Sequence, residues 1–362
     1  MPSVIERIVT RVALLPLPEP VRGMSIGTRT QKSTLIVEVH ASSGAVGFGY
    51  ASVQQLGFVK AVDCIVGELA PLLQGMDVAR REAIYQRMWT ITGDLLHEGA
   101  ANLALGAIDV ALWDLAGKEA GQPLWKLLGG TREAVPAYAS WSFWRYMEPA
   151  RLESEAAAVA GLGYTALKMR MGQRPLAEDL ERARLIRAAV GPDMHIMVDA
   201  LWSLTGKEAQ ALADGLAAIG CSWLEEPVRE GDYEGLAQVR ATSRVPLAAG
   251  ERISRLDMLP RLADTVDHVI LDVYHLGGIT PWLKAAALLD QRNKPLSGHA
   301  NPYVSAQLLA AARTGAWVEF MPWMDMIFVD PPVPRAGMIT LPDAPGLGLV
   351  LDEEALARYA VK

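Results

Sequence analysis

Through the first 50 or so residues the apolar positions fall in short, β-branched runs. Leu35–Val39 is the clearest, and Gly44, Gly47 and Gly49 follow it closely, a pattern that predicts strands joined by a hairpin turn. From about Phe58 to Lys118 the apolar spacing becomes helical. Ala104, Ile108, Ala111, Leu112 and Leu115 recur on one face, and Gly121-Gln-Pro123 ends the run. Strands followed by helices predict a small α+β domain.

From about Val135 the rhythm changes. Short apolar runs at Val135–Ala139, Ala166–Met169, His195–Val198, Ser222–Leu224, Leu247–Ala249, His268–Leu271, Lys294–Leu296 and Ala316–Val318 read as strands. Amphipathic stretches such as Glu178–Val190, Thr205–Ile219 and Thr280–Gln291 lie between them, and Thr205 with Glu208 has the spacing of a capping box. Eight strand–helix units predict an α/β protein with a (β/α)8-type barrel, a modified TIM barrel with one helix shortened, behind an N-terminal α+β capping domain. A doubly wound sheet is the alternative, but no G-x-G-x-x-G follows any of the strands. The expected division is a cap over 1–128, a barrel over 129–325 and a Pro- and Gly-rich tail over 326–362 that returns to the cap.

Composition narrows the class of protein. The 362 residues are 51% hydrophobic and 21% charged, which excludes a disordered chain, and they exceed what one ordinary core accommodates. The net charge of −7 without a basic block argues against a nucleic-acid partner. No run approaches 18 uninterrupted apolar residues, and Pro16, Pro18 and Pro20 break the early apolar stretch, so neither a membrane span nor a signal peptide is expected. Two cysteines, Cys64 and Cys221, suit a reduced, cytoplasmic protein.

Barrel enzymes place their chemistry at the C-terminal strand ends. Here the second proposed strand ends in Lys168-Met169-Arg170, the third in Asp199, the fourth in Glu225-Glu226-Pro227 and the fifth in Glu251. The sixth ends in Asp272, the seventh leads to His299, and the eighth ends in Glu319. Asp199, Glu225 and Glu251 lie 26 residues apart each time, about one strand–helix unit, and each follows apolar residues directly. Three carboxylates converging on one point repel unless a cation joins them. An oxygen-only donor set selects a hard divalent ion, Mg²⁺ with Mn²⁺ as substitute, over Zn²⁺.

With these residues in place the chain resembles the enolase superfamily, in its mandelate racemase subgroup. The resemblance rests on Ala104-Leu-Gly-Ala-Ile-Asp-Val-Ala-Leu-Trp-Asp-Leu-Ala-Gly-Lys118, the Lys-x-Arg after the second strand, the three carboxylates, the Asp272 and His299 pair, and Glu319. It implies that Mg²⁺ is the cofactor and that a small carboxylate substrate loses its α-proton to give an enediolate stabilised by the metal. It also implies that His299 is the base, oriented by Asp272, and that a protonated Glu319 donates to the substrate carboxylate. His275 is second choice as base. A homo-oligomer is expected.

Two departures from the subgroup stand out. Its second lysine is Arg170 here, and a guanidinium is a poor base. Lys168, its pKa lowered by the neighbouring cation, is the candidate base for the second face or a carboxylate anchor, and Arg170 a substrate-binding group or a strut to a rim carboxylate. Asp199 is followed by Leu201 and Trp202, where the subgroup often has Asn. By resemblance the loop Arg22-Gly-Met24-Ser-Ile-Gly27 covers the site, making Met24 a substrate contact. Trp141, Phe143, Trp144, Tyr146 and Trp323 read either as packing between domains or as a stacking surface for a sugar. Dehydration of a sugar acid is the leading reading, with a racemase, epimerase or cycloisomerase as alternative. A Schiff-base aldolase using Lys168 and an inactive metal-holding relative are more remote.

Overall fold

The structure is a computed structural model and describes residues 2–24 and 27–361. The cap opens with an antiparallel sheet of β1 (Ile5–Met24), β2 (Gly27–Ala41) and β3 (Val46–Val53), in the order β1-β2-β3. Pro16, Pro18 and Pro20 fall on the edge strand β1, where a missing N–H breaks no central ladder. Helices α1 (Leu56–Leu73), α2 (Arg81–Ile91) and α3 (Ala100–Ala120) follow, then the short α4 (Leu124–Leu127).

Only Gly44 of the three early glycines lies in the hairpin turn. Gly47 and Gly49 are inside β3, and a Cβ there would stand 2.1 Å from the Ala111 carbonyl oxygen and 2.2 Å from that of Ala107. They let α3 pack backbone against backbone on the sheet. This helix is long and apolar enough to cross a bilayer, yet 83% of its most apolar window is buried inside the molecule.

The resemblance segment of α3 has a structural explanation. Asp109 accepts from the backbone N–H and the hydroxyl of Thr280, both at 2.7 Å, and so ties the cap to the barrel. Asp114 accepts from the N–H of Phe48 (2.8 Å) and of Leu347 (2.7 Å), and pairs with Lys118 at 2.7 Å. One helix therefore joins the sheet, the barrel and the tail.

The barrel strands are β4 (Ala134–Ala139), β5 (Ala166–Arg170), β6 (His195–Asp199), β7 (Trp223–Glu225), β8 (Leu247–Ala249), β9 (His268–Leu271), β10 (Leu296–Gly298) and β11 (Gly315–Phe320). They pair in parallel and in sequence, and β11 closes on β4. Between them run α5 (Pro149–Gly161), α6 (Leu176–Val190), α7 (Gly206–Ile219), α8 (Tyr233–Thr242), α9 (Leu259–Thr265), α10 (Ile279–Gln291) and α11 (Pro302–Ala311). Thr205 caps α7 with the reciprocal Glu208 contact its spacing predicts. The shortened helix is α9. No helix follows β11 as a regular eighth unit among the described residues. The chain instead forms β12 (Phe328–Val329), β13 (Met338–Thr340), β14 (Val350–Leu351) and α12 (Glu353–Tyr359). This tail divides its contacts: β13 pairs with β4 of the barrel, while Val361 donates to Val12 of the cap.

The closed end of the barrel is filled by Tyr138, Ala166, Met197, Trp223, Ala248 and Ile270, with Trp317 beside them. His268 packs there with its ring 4.8 Å from that of Trp223 and its Nε2 2.7 Å from Ser297 Oγ. Burial pushes this imidazole down to about 4 from its ordinary value near 6.5. A depressed histidine favours unfolding as pH falls, because the unfolded chain then binds the extra proton. His268 is expected to withdraw about 2 kcal/mol of stability between pH 7 and pH 5. Urea unfolding at the two pH values, compared with His268→Gln, measures this; identical pH dependence in the variant would show that His268 contributes none of it.

Candidate active site

The parallel register aligns the acids. Asp199 pairs with Glu225 across β6 and β7, and Arg170 pairs with Asp199 across β5 and β6. Glu251 follows β8, Asp272 follows β9, His299 follows β10 and Glu319 lies within β11. All of these side chains except His299 are buried, His299 being 21% exposed. The backbone is contorted around them: Phe143, Leu201, Trp202, Glu226, Ala300 and Asn301 adopt positive φ in the loops after β4, β6, β7 and β10. Such strain collects where a fold must aim side chains at one point.

His299 and Asp272 form the expected dyad. Nδ1 of His299 lies 2.8 Å from Asp272 Oδ2, leaving Nε2 facing the site 3.3 Å from Glu251 Oε2. Asp272 also accepts the N–H groups of Tyr274 (2.7 Å) and His275 (3.0 Å) and the amide of Asn301 (3.2 Å). Burial opposes ionisation of Asp272, but His275 and His299 outweigh it and hold the carboxyl down at about 2. For His299, burial disfavours the charge, but Glu251, the bond to Asp272 and Glu319 push the imidazole up to about 10. A cation balancing Glu251 removes the foremost of those raising charges and frees Nε2 to accept a proton. His275 lines the same mouth but spends Nδ1 on the Glu251 carbonyl at 2.8 Å.

Lys168, Arg170 and Glu319 stand in surroundings that strand-end positions alone do not show. Lys168 is not depressed by Arg170. Its Nζ sits 2.8 Å from Glu225 Oε1, 2.9 Å from Glu319 Oε1 and 3.7 Å from Asp199 Oδ2, and these acids raise it well above its ordinary range despite burial. Arg170 stands in the second of its two readings, as a strut beside a rim carboxylate, with Nη2 3.6 Å from Glu319 Oε1. Its Nη1 donates to the Ser140 and Ser142 carbonyls (2.7 and 3.0 Å), its Nη2 donates to Ser140 Oγ (2.7 Å), and Trp144 lies 4.0 Å from the guanidinium. Glu319 is an acceptor rather than a protonated donor. Ser140 Oγ donates to it at 2.6 Å and the Ala300 N–H at 2.9 Å; burial resists ionisation, but Lys168, His299 and Arg170 hold its carboxyl far below the usual range.

The metal-ligand expectation concerns Asp199, Glu225 and Glu251. Among the described residues no three acid, imidazole or thiol groups stand in a ready-made cation cage. The chemistry of the donor set nevertheless fits a hard divalent ion. Burial, then Asp199, Glu319 and Glu251, push Glu225 up to about 8 against the pull of Lys168. Glu251 is raised as well, by burial first and by Asp199 and Glu319, with His299 and Lys168 opposing. Carboxyls that raise one another in this way are relieved by a divalent charge between them. After Asp199, the Leu201 N–H donates to its Oδ1 at 2.8 Å, a main-chain contact where the subgroup often has Asn.

Some groups at the site make contacts that the sequence did not suggest. Ser140 follows the first barrel strand directly, so the strand-end rule applied to all eight strands finds it. Glu226 is buried, accepts the Gly250 N–H at 2.8 Å, and is pushed up to about 8, by burial first and then by Glu251. Asn301, whose amide donates to Asp272, carries no local signal. The rim aromatics are mainly packing: Trp141 meets Tyr164 and Phe320 edge-on, Trp144 stacks on Trp323, and Tyr146 donates to the Pro20 carbonyl. The side chain of Met24, with neighbouring Ser25 and Ile26, lies outside the described residues.

A barrel of parallel strands under an α+β cap, with acids on successive strand ends and a His–Asp dyad beyond them, defines an enolase-type barrel protein. Residues 6–129 match the "Mandelate racemase / muconate lactonizing enzyme, N-terminal domain" family and residues 151–355 the "Enolase C-terminal domain-like" family. This chain belongs to the mandelate racemase/muconate lactonizing enzyme family. It is 32% identical over 360 residues to the 3,6-anhydro-alpha-L-galactonate cycloisomerase of Streptomyces coelicolor, covering 99% of each chain. With the L-talarate/galactarate dehydratase of Salmonella typhimurium it shares 29% identity, over 97% of this chain and 90% of that one. The crystal structure of that dehydratase with Mg and L-lyxarohydroxamate superposes with a TM-score of 0.95 at 28% identity, covering 100% of this chain and 94% of the other.

Arg170 in this setting is a strut beneath Ser140 and Glu319. Arg170→Lys is expected to lose on the order of 2 kcal/mol of stability, because one ammonium cannot replace three fixed hydrogen bonds. Denaturant unfolding reads this out. A variant as stable as the wild type would mean that the guanidinium supports nothing.

Proposed function

We propose that this chain is a Mg²⁺-dependent lyase that dehydrates a sugar acid, removing the proton α to a carboxylate and then water from the adjacent carbon. The observation that carries this reading is the asymmetry of the site. A histidine oriented by a buried aspartate at 2.8 Å serves one face, while the position of the subgroup's second lysine holds Arg170, a poor base tied to Ser140 and Ser142. One competent base suits an elimination, whereas racemisation requires a base on each face. The relationship to the Salmonella typhimurium dehydratase supports the same reading.

Asp199, Glu225 and Glu251 would hold Mg²⁺. When bound, the ion supplies positive charge to the substrate carboxylate as its α-carbon becomes electron-rich. The chain's own residues do the rest. Nε2 of His299 takes the C2 proton, and Asp272 stabilises the resulting imidazolium while fixing the ring through Nδ1. Lys168 contributes a fixed positive charge beside Glu225 and Glu319. The C3 hydroxyl then leaves as water, taking the proton held by the His299 imidazolium, and the resulting enol tautomerises to the 2-keto-3-deoxy acid.

A cycloisomerase is the second reading, favoured by the 32% identity to the Streptomyces coelicolor cycloisomerase. It begins with the same proton removal but expels a ring oxygen that stays in the product. The substrate is a small carboxylate in both cases, and a cytoplasmic homo-oligomer is part of the proposal.

His299→Asn is expected to lower kcat by on the order of 10² or more, the scale of lost general-base catalysis. In D₂O, the wild-type enzyme should exchange the α-proton of one C2 epimer only. Deuterium entering both epimers would replace the dehydratase reading with an epimerase. Exhaustive chelation should abolish turnover and added Mg²⁺ restore it; activity that survives chelation would remove the carboxylate triad from the mechanism.

A further inference from the structure

Two of the barrel's buried cations at the site are already bonded. Lys168 is shared among acids and Arg170 is bonded to Ser140 and Ser142. The cap adds a further cation over the mouth. Lys32, on β2, is partly buried, and among the described residues no carboxylate lies within 4 Å of its ammonium. Its Nζ stands 5.1 Å from the ring centroid of Trp323. Trp323 stacks on Trp144 with centroids 6.2 Å apart and planes 11° from parallel, and Trp144 in turn carries the Arg170 guanidinium at 4.0 Å. An aromatic wall thus runs from the floor of the site to the cap, with Arg170 at the inner end and Lys32 at the outer.

Arg29 lies three residues before Lys32 on the same strand. It is also partly buried, makes no ion pair among the described residues, and has a buried Nε without a hydrogen-bond partner. Burial and this neighbouring guanidinium push Lys32 down to about 8, against the pull of Asp272 and Glu319. Keeping two desolvated cations of one strand without a carboxylate partner costs stability, and an arriving anion removes that cost. Under the reading above, the first carboxylate of the substrate sits at the carboxylate triad on the barrel floor. An anion at Lys32 is therefore a second one, at the far end of the same molecule.

We propose that Lys32, backed by Arg29, receives a second carboxylate of the substrate, and that the enzyme acts on a sugar diacid in preference to a sugar monoacid. This inference rests on the sugar-acid reading of the site. Trp323, partly buried and backed by Trp144, gives the carbon chain between the two carboxylates an apolar flank, and the ammonium above Trp323 is held by the ring while it keeps donors free.

The test uses the full-length Mg²⁺-loaded enzyme. Galactarate and glucarate are the diacid probes, galactonate and gluconate the monoacids, and 6-phosphogluconate a monoacid with a different distal anion. The wild type should turn over or bind a diacid best. In Lys32→Met, KM for that diacid should rise on the order of tenfold or more, with kcat changed less than about threefold, and monoacid kinetics should stay unchanged. Lys32→Arg should restore most of the loss. A wild type that prefers a monoacid or 6-phosphogluconate overturns the inference and leaves the dehydratase reading intact. So does a Lys32→Met enzyme impaired equally toward all acids. If no acid is turned over, the dehydratase reading fails instead, and calorimetry still decides about Lys32: the diacid must bind the wild type on the order of tenfold more tightly than Lys32→Met. Equal binding rejects the subsite.

Discussion

The structure depends on gathering mutually repelling carboxylates in one dry place. Asp199, Glu225, Glu226, Glu251, Asp272 and Glu319 are all buried at one end of the barrel. Parallel register leaves little choice in this, since it sets strand end beside strand end and brings Asp199 against Glu225. Isolated carboxylates in such surroundings would take up protons or unfold the site. Lys168 and Arg170, both on β5, offset part of the charge from inside, and His299 offsets part from the rim. The oxygen-only character of Asp199, Glu225 and Glu251 suits a hard divalent ion for the remaining balance, as proposed above.

Rigidity around that charge comes from the main chain as much as from side chains. The N–H groups of Leu201, Gly250, Tyr274, His275 and Ala300 each donate to an acid of the site. The loops that deliver them contain the left-handed residues Leu201, Glu226 and Ala300. Helix α3 ties the cap to this rim. Asp109 of α3 binds Thr280 at the start of α10, and Asp114 binds both β3 and the tail. The close approach of α3 to Gly47 and Gly49 holds the sheet that presents Lys32.

Much of the barrel was legible because its information is local. A run such as Ile196–Val198 is apolar because both faces of a parallel strand are covered, and Thr205 with Glu208 three residues on marks a helix start. The acids followed, since a strand end is a position along the chain. Legibility failed where a pattern had two readings. Gly47 and Gly49 resemble turn residues but are strand residues under a helix, and the Pro- and Gly-rich tail divides between barrel and cap.

The sequence by itself determined the strand–helix period, the order of Lys168, Asp199, Glu225, Glu251, Asp272, His299 and Glu319, and the oxygen chemistry of the three acids. Tertiary structure alone decided the state of each group. Lys168 is raised rather than lowered because Glu225 and Glu319, distant in sequence, lie 2.8 and 2.9 Å from its ammonium. Arg170 is a strut because Ser140 and Ser142, at the end of the neighbouring strand, take its donors. Glu319 is an acceptor because Ser140 and Ala300 aim their donors at it. Periodicity is a property of the chain read along its length, whereas protonation and hydrogen bonding depend on which groups face one another across space.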